Sequence, residues 1–320
     1  PVLSVRGLTK RIGRRTIIDN LSFDVYAGEV FGFLGPNGAG KTTTIRMLVD
    51  LIRPTEGTVT ICGKDVHKEH REALAYVGSI VENPEMYPFM TGWENLEHFA
   101  ALVPNVPPER IEEVTKLVGL DQRIHDKVKN YSLGMRQRLG IAQALLGKPE
   151  LMILDEPTNG LDPQGIKELR IFIRDLASRG MSLFISSHLL SEIQLMCDRV
   201  AIINKGRAIA VGRVDELLAD AFPTVRWTVE PFLPAREIFA AHGHPAAEVE
   251  QAAERTDLAA SGGHAADRTR GVIVTDMAAD HVPEFVRLLQ EAGIRIYAVE
   301  PLAPSLESLY LRLTEGEVID

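Results

Sequence analysis

Only two of the 320 residues are cysteine, Cys62 and Cys197. Two thiols cannot build a disulfide framework, and the pair reads as reduced packing residues in a cytoplasmic protein. Apolar runs of membrane-spanning length are missing too. The longest candidates, Ser182 to Ser186 and Val200 to Ile203, are broken by polar residues, whereas a span needs about 20 apolar positions. No signal peptide is expected, because Leu3-Ser4-Val5 enters a strand pattern directly. Internal repeats are absent. Lysine is absent from Ala221 to Asp320, where sixteen Asp and Glu face eight Arg, so this end holds −8 of the chain's net −9. That step in charge marks a boundary near residue 220. It leaves the tail without the clustered base a nucleic-acid partner needs, and it reads as a solvated acidic surface.

What is present starts with 45% hydrophobic residues, enough for two cores in a chain of this length. Gly35-Pro36-Asn37-Gly38-Ala39-Gly40-Lys41-Thr42-Thr43 matches the phosphate-binding pattern G-x-x-x-x-G-K-[ST] at every required position. Upstream, Glu29 to Leu34 reads as a short buried strand; downstream, Ile45, Met47, Leu48 and Leu51 recur as in a helix. Glycines let backbone N–H groups close around a phosphate, and the helix N-terminus adds partial positive charge. Lys41 is expected on the β/γ oxygens and the Thr42 hydroxyl on Mg²⁺. The chain is therefore expected to bind a nucleoside triphosphate.

Val2 to Val25 alternates apolar and polar residues in two runs around Gly13-Arg14-Arg15, as antiparallel strands do, and Thr58 to Ile61 continues that sheet. From Thr91 to Leu146 the period turns helical, with Pro104, Pro107 and Pro108 separating the helices. Dense apolar strands at Leu151 to Leu154 and Ser182 to Ile185 flank a helix through Ile166, Leu169, Ile173 and Leu176, which fits a buried parallel sheet. Val200 to Ile203 and Ala208 to Val211 form a hairpin around Lys205-Gly206. Beyond residue 220 a small α+β module is expected from Val225 to Val229, Ala235 to Ala241, Gly271 to Thr275, Val282 to Glu291 and Ile294 to Val299. The stretch 242–270, rich in Ala, Gly, His and charge, reads as a flexible insertion. His242, His244 and His264 lie in it without nearby Cys, so a metal site there is not expected.

Leu151 to Leu154 ends in Asp155-Glu156-Pro157. Beside a phosphate loop the first acid belongs on Mg²⁺ and the second orients or deprotonates the attacking water. Asn159-Gly160-Leu161-Asp162-Pro163 follows directly, and Ser186-Ser187-His188 ends the next strand, which places His188 at the carboxyl edge of the sheet. Between loop and carboxylates sits Tyr131-Ser132-Leu133-Gly134-Met135-Arg136-Gln137-Arg138. Taken together, and in this order, the motifs resemble those of ATP-binding-cassette (ABC) ATPases over about residues 2 to 220.

The resemblance implies a P-loop α/β fold with a mixed sheet, an antiparallel β subdomain and a helical subdomain at about 84–147, together forming residues 1–220, followed by an accessory domain at 221–320. It implies ATP and Mg²⁺ as ligands, with catalytic roles for Lys41, Glu156, His188 and Glu82, and metal contacts from Thr42, Asp155 and Glu82. It also implies a head-to-tail homodimer in which Ser132, Gly134 and Asp162 meet the nucleotide, Ser132 and Gly134 facing the γ-phosphate held by the other copy's Lys41. A separately encoded membrane permease would complete an exporter on the cytoplasmic face of the membrane. A soluble ABC ATPase, or a regulatory module in which binding matters more than turnover, is the alternative. Three departures stand out. Leu133 and Met135 replace Gly and Gln of the family signature, Glu82 stands where glutamine is usual, and Ile12 stands where an aromatic stacks on adenine. Glu82 and the signature resemble the bacitracin- and lantibiotic-resistance branch, and Pro283 to Val286 with Pro304 to Tyr310 resembles the extension of daunorubicin-type exporters. A carboxylate at Glu82 adds negative charge beside phosphate, so altered, slower turnover is expected. Met86-Tyr87-Pro88-Phe89-Met90 is the expected socket for the membrane partner.

Overall fold

A computed structural model describes residues 1–219, 223–251 and 269–315. Its Cα positions divide into two compact units, Pro1–Asp215 joined by the residues from Arg312, and Glu216–Leu311. The first begins with β1 (Leu3–Ile12) and β2 (Arg15–Val25), antiparallel, with Leu3 opposite Val25 and Val5 opposite Phe23. β3 (Val30–Leu34) leads through the phosphate loop into α1 (Lys41–Leu48). β4 (Glu56–Ile61) pairs with β1 on its other side, and the short β5 (Lys64–Asp65) closes a four-stranded sheet in the order β2-β1-β4-β5. α2 (His70–Leu74) and β6 (Val77–Ile80) follow.

Three helices come next. α3 (Gly92–Ala100) opens with a capping box, Thr91 accepting from the Glu94 N–H while Glu94 accepts from that of Thr91. α4 (Pro108–Leu117) starts on a proline, and α5 (Leu133–Leu145) is capped by Ser132. The chain then alternates β7 (Leu151–Leu154), α6 (Pro163–Ser178), β8 (Ser182–Ser187), α7 (Leu190–Met196), β9 (Arg199–Asn204), β10 (Arg207–Arg213) and α8 (Val214–Ala219). The six-stranded sheet runs β10-β9-β3-β8-β7-β6, all parallel except the β10 edge. Every residue of β3, β7 and β8 is buried, so these strands read as continuous apolar runs rather than alternating ones. Phe23 of the antiparallel sheet stacks on Phe31 and Phe184 of the parallel one at 5.3 and 5.8 Å, with Phe33 beside them. This shared core draws no residue from 84 to 147.

The second unit contains β11 (Thr224–Glu230), α9 (Phe232–Ala241), β12 (Ala246–Gln251), β13 (Gly271–Asp276), α10 (Val282–Glu291), β14 (Arg295–Leu302) and the start of α11 (Leu306–Glu315). Its antiparallel sheet has the order β12-β13-β11-β14. Trp227, Phe232, Phe239, Phe285 and Leu289 fill its core, Phe239 stacking on Phe285 at 5.2 Å. The buried Trp227 indole N–H donates to Thr275 Oγ1 at 3.1 Å, which satisfies its polar atom. One expectation changes here. Residues 246–251, expected in a flexible insertion, form an edge strand with Val249 opposite Ile273. Backbone pairing with β13 builds it, since Ala246-Ala247-Glu248-Val249-Glu250-Gln251 has almost no apolar alternation. The rest of that expectation, 252–268 including His264, lies outside the described residues. His242 and His244 are packing residues: their Nδ1 atoms bond Ile238 O and Asp276 O, and both rings meet Phe285 edge-on. Among the described residues no His, Cys, Asp and Glu cluster suits a metal ion.

Candidate functional site

β3, β8, β7 and β6 run parallel in register, Leu34 beside Ser187, Leu154 beside Ile185 and Ile80 beside Leu154. Their ends therefore release the phosphate loop, His188, Asp155-Glu156 and Glu82 at one edge of the sheet, where open α/β folds bind ligands. The loop Gly35–Gly40 must pass close to neighbouring chain. A Cβ on Gly35 would fall 2.5 Å from Ile203 O, and Gly40, the α1 N-cap, holds φ +107.

Lys41 is 6% exposed, and its ammonium donates to Gly35 O at 2.7 Å, Pro36 O at 3.3 Å and Glu156 Oε1 at 3.1 Å. His188 Nδ1 lies 2.8 Å from the other Glu156 oxygen. Ser186, fully buried, was not singled out from the sequence. Its hydroxyl donates to Asp155 Oδ1 at 2.6 Å and accepts the Glu156 N–H at 2.9 Å. It thereby ties the Asp155 carboxylate and the Glu156 backbone to β8, Glu156 being held at φ +48. The signal for it was a serine two residues before His188 at a strand end, but its role depends on strand register.

Hard oxygen donors remain for a divalent cation. Ser186 occupies one oxygen of Asp155, and among the described residues neither Asp155 Oδ2 nor the Thr42 hydroxyl has a hydrogen-bond partner, whereas the Thr44 hydroxyl is spent on Gly40 O. One carboxylate and one hydroxyl suit Mg²⁺, which keeps waters and phosphate oxygens for its other positions. Glu82 is not brought into this set. It stands 60% exposed with its carboxylate paired to Arg46 of α1.

A cavity of about 360 Å³ flanks the loop, lined by Arg15, Thr16, Ile17, Pro36 to Ala39, Asn204 and Lys205. Ile12, expected at the base, does not line it and is 60% exposed. The start of β2 offers Arg15 instead.

Ser132, Gly134 and Asp162 lie apart from Lys41. They line a second cavity, about 540 Å³, to which no residue of 35–43 contributes. Ser132 and Asp162 cap α5 and α6, accepting the Met135 and Gly165 N–H groups at 3.3 and 2.8 Å, so two helix N-termini converge there. Leu133 fits where the family has glycine because it faces Gly160, where an added Cβ would come within 2.9 Å of it. Just before Ser132, the Tyr131 hydroxyl donates to Arg123 O at 2.7 Å, and burial pushes its pKa up to about 12. Tyr87 and Phe89 stand 40% and 65% exposed, as the sequence implied.

The ABC transporter family pattern matches residues 18–159, from β2 through the carboxylates. The ABC transporter ATP-binding protein YhcH of Bacillus subtilis (strain 168) is 48% identical over 314 residues, 98% of this chain and 96% of that one. A bacitracin transport ATP-binding protein of Bacillus licheniformis is 49% identical over 209 residues, 65% of this chain and 68% of its own. A solved ATP-binding cassette in its ADP conformation superimposes with a TM-score of 0.63 at 25% identity, covering 68% of this chain and 95% of that one.

Proposed function

We propose, from the premise that the chain belongs to the ABC transporter family and so binds and hydrolyses ATP, that two copies of it drive an exporter through a separate membrane-spanning permease. The observation that carries the reading is the Lys41–Glu156–His188 chain of contacts, with Asp155 braced beside it by Ser186. In this reading the β/γ oxygens of ATP compete for the three donors of Lys41 and are wrapped by the Gly35–Thr43 backbone. Thr42 and Asp155 would hold Mg²⁺, which when bound neutralises charge on the phosphates. Glu156 then takes a proton from the attacking water, and His188, its Nδ1 proton on Glu156 Oε2, keeps that carboxylate aimed. Base and ribose extend into the cavity beside Arg15, whose guanidinium supplies a flat cationic face.

The separation of Ser132, Gly134 and Asp162 from Lys41 supports a site completed by a second copy, each chain lending its α5 N-terminus to the other's nucleotide. No helix among the described residues is long and apolar enough to cross a membrane; in this reading the chain is the peripheral subunit, on the cytoplasmic face. Tyr87 and Phe89 are the proposed contact with the permease. The bacitracin-transport relative supports an antibiotic peptide or another hydrophobic compound as cargo. Sedimentation tests the arrangement. With Mg-ATP, Glu156→Gln is expected to move from monomer to dimer, and adding Ser132→Arg should restore the monomer while ATP still binds. A Glu156→Gln chain that stays monomeric with nucleotide bound would overturn it.

A further inference from the structure

The Arg46–Glu82 ion pair lies outside the contacts just described, yet its position relates it to them. Arg46 is four residues beyond Thr42 on α1, so the two share a helix face about 6 Å apart along the axis. Glu82 stands two residues past the end of β6, whose Ile80 carbonyl accepts the Asp155 N–H. The chain thus delivers a carboxylate to the Thr42 face of α1, where the guanidinium takes it one turn away. Glu82 does this at φ +67, a left-handed conformation unfavourable for any residue with a Cβ. The side chains are 44% and 60% exposed, so the pair contributes little to folding. Strain kept for so weak a brace points to a task other than stability.

We propose that Arg46 is a positioning residue for Mg-ATP. It neutralises Glu82 and holds it, so that a carboxylate delivered to the Thr42 face of α1 does not repel the triphosphate. This rests on the reading of the site as an ATP site. The pair also explains how a carboxylate is tolerated where the family uses a neutral glutamine.

The test is equilibrium binding of a fluorescent ATP analogue in Mg²⁺ at low salt, with steady-state hydrolysis alongside. Arg46→Ala is expected to weaken binding about fivefold, ~1 kcal/mol at 1.4 kcal/mol per tenfold, and to raise KM while kcat holds. Arg46→Lys should recover most of that loss. Glu82→Gln should bind at least as tightly as the parent, and Arg46→Ala/Glu82→Gln should match the parent rather than the single Arg46→Ala variant. A pair that merely braced the surface would make the two single variants alike. Binding by Arg46→Ala within twofold of the parent, or a double variant as weak as Arg46→Ala, overturns the proposal. Thermal melts verify that each variant is folded. A parent that binds no nucleotide overturns the site reading together with the pair; normal parent binding with a silent Arg46→Ala overturns the pair alone.

Discussion

Ser186→Ala removes one hydroxyl from a position with no solvent exposure, and the structure says what that hydroxyl holds. Its proton goes to the Asp155 carboxylate at 2.6 Å and its lone pair receives the Glu156 N–H at 2.9 Å. A hydrogen bond to a charged group contributes about 1.5–3 kcal/mol, and an orphaned buried N–H costs about 1–3 kcal/mol more. The space vacated is smaller than a water molecule, so no solvent replaces the lost oxygen. The expected loss is about 3–5 kcal/mol, read as a lower urea midpoint and a melting temperature lower by roughly 10 °C. Turnover should suffer separately, because the same bond fixes the left-handed backbone of Glu156. Hydrolysis is expected to fall about tenfold in kcat, in line with a misplaced catalytic group. KM should stay within about twofold, since the Lys41 contacts to Gly35 and Pro36 are untouched. A destabilisation below about 1 kcal/mol together with normal kcat would show that the two bonds are not maintained in solution.

Four other outcomes are expected. Glu156→Gln should lower the phosphate-release rate at least ~100-fold while retaining ATP in a filter-binding assay, because the amide keeps the shape and loses only the base. Lys41→Ala should lose nucleotide affinity by ~100-fold or more in the same assay, as three charge-assisted donors vanish at once. Arg15→Ala should weaken ATP and its non-hydrolysable analogues in calorimetry yet spare inorganic triphosphate, which has no base to stack; equal losses for both would refute a base-side role. Tyr131 keeps its proton to about pH 12 in the fold but only to about 10 when exposed, so stability falls as pH rises between those values. Tyr131→Phe should make that alkaline decline shallower in melting experiments, Cys197 contributing the rest, and cost about 1 kcal/mol near neutrality.

The placement of the candidate site residues was legible where chemistry is written in consecutive residues. Lys41 follows its glycines, Asp155-Glu156 ends an apolar strand, and Ser132 opens a helix. Such local signals survive because each residue's task is set by its own strand–turn–helix. What escaped depends on register between distant segments. Ser186 acts only because β8 lies beside β7. Glu82, expected on the metal, meets Arg46, 36 residues earlier in the chain. Ile12 was expected to face the base because the sequence shows which residues form the β1–β2 turn, but not that Arg15 to Ile17 are the ones beside the loop. β12 was missed because an Ala- and Glu-rich edge strand carries no apolar period. The small α+β character of the second unit was readable from its elements, though its strand order was not.

The stacked phenylalanines make the antiparallel and parallel sheets behave mechanically as a single anvil. Residues 84–147 are fastened to it through α5, which rests on β6 with Gly140 set against Ile80. Lys41 and the carboxylates sit on the anvil, whereas Ser132, Tyr87 and Phe89 ride on the lever. Under the proposed function, a stroke set off by phosphate chemistry is delivered by that lever, through the seat of Gly140 on β6.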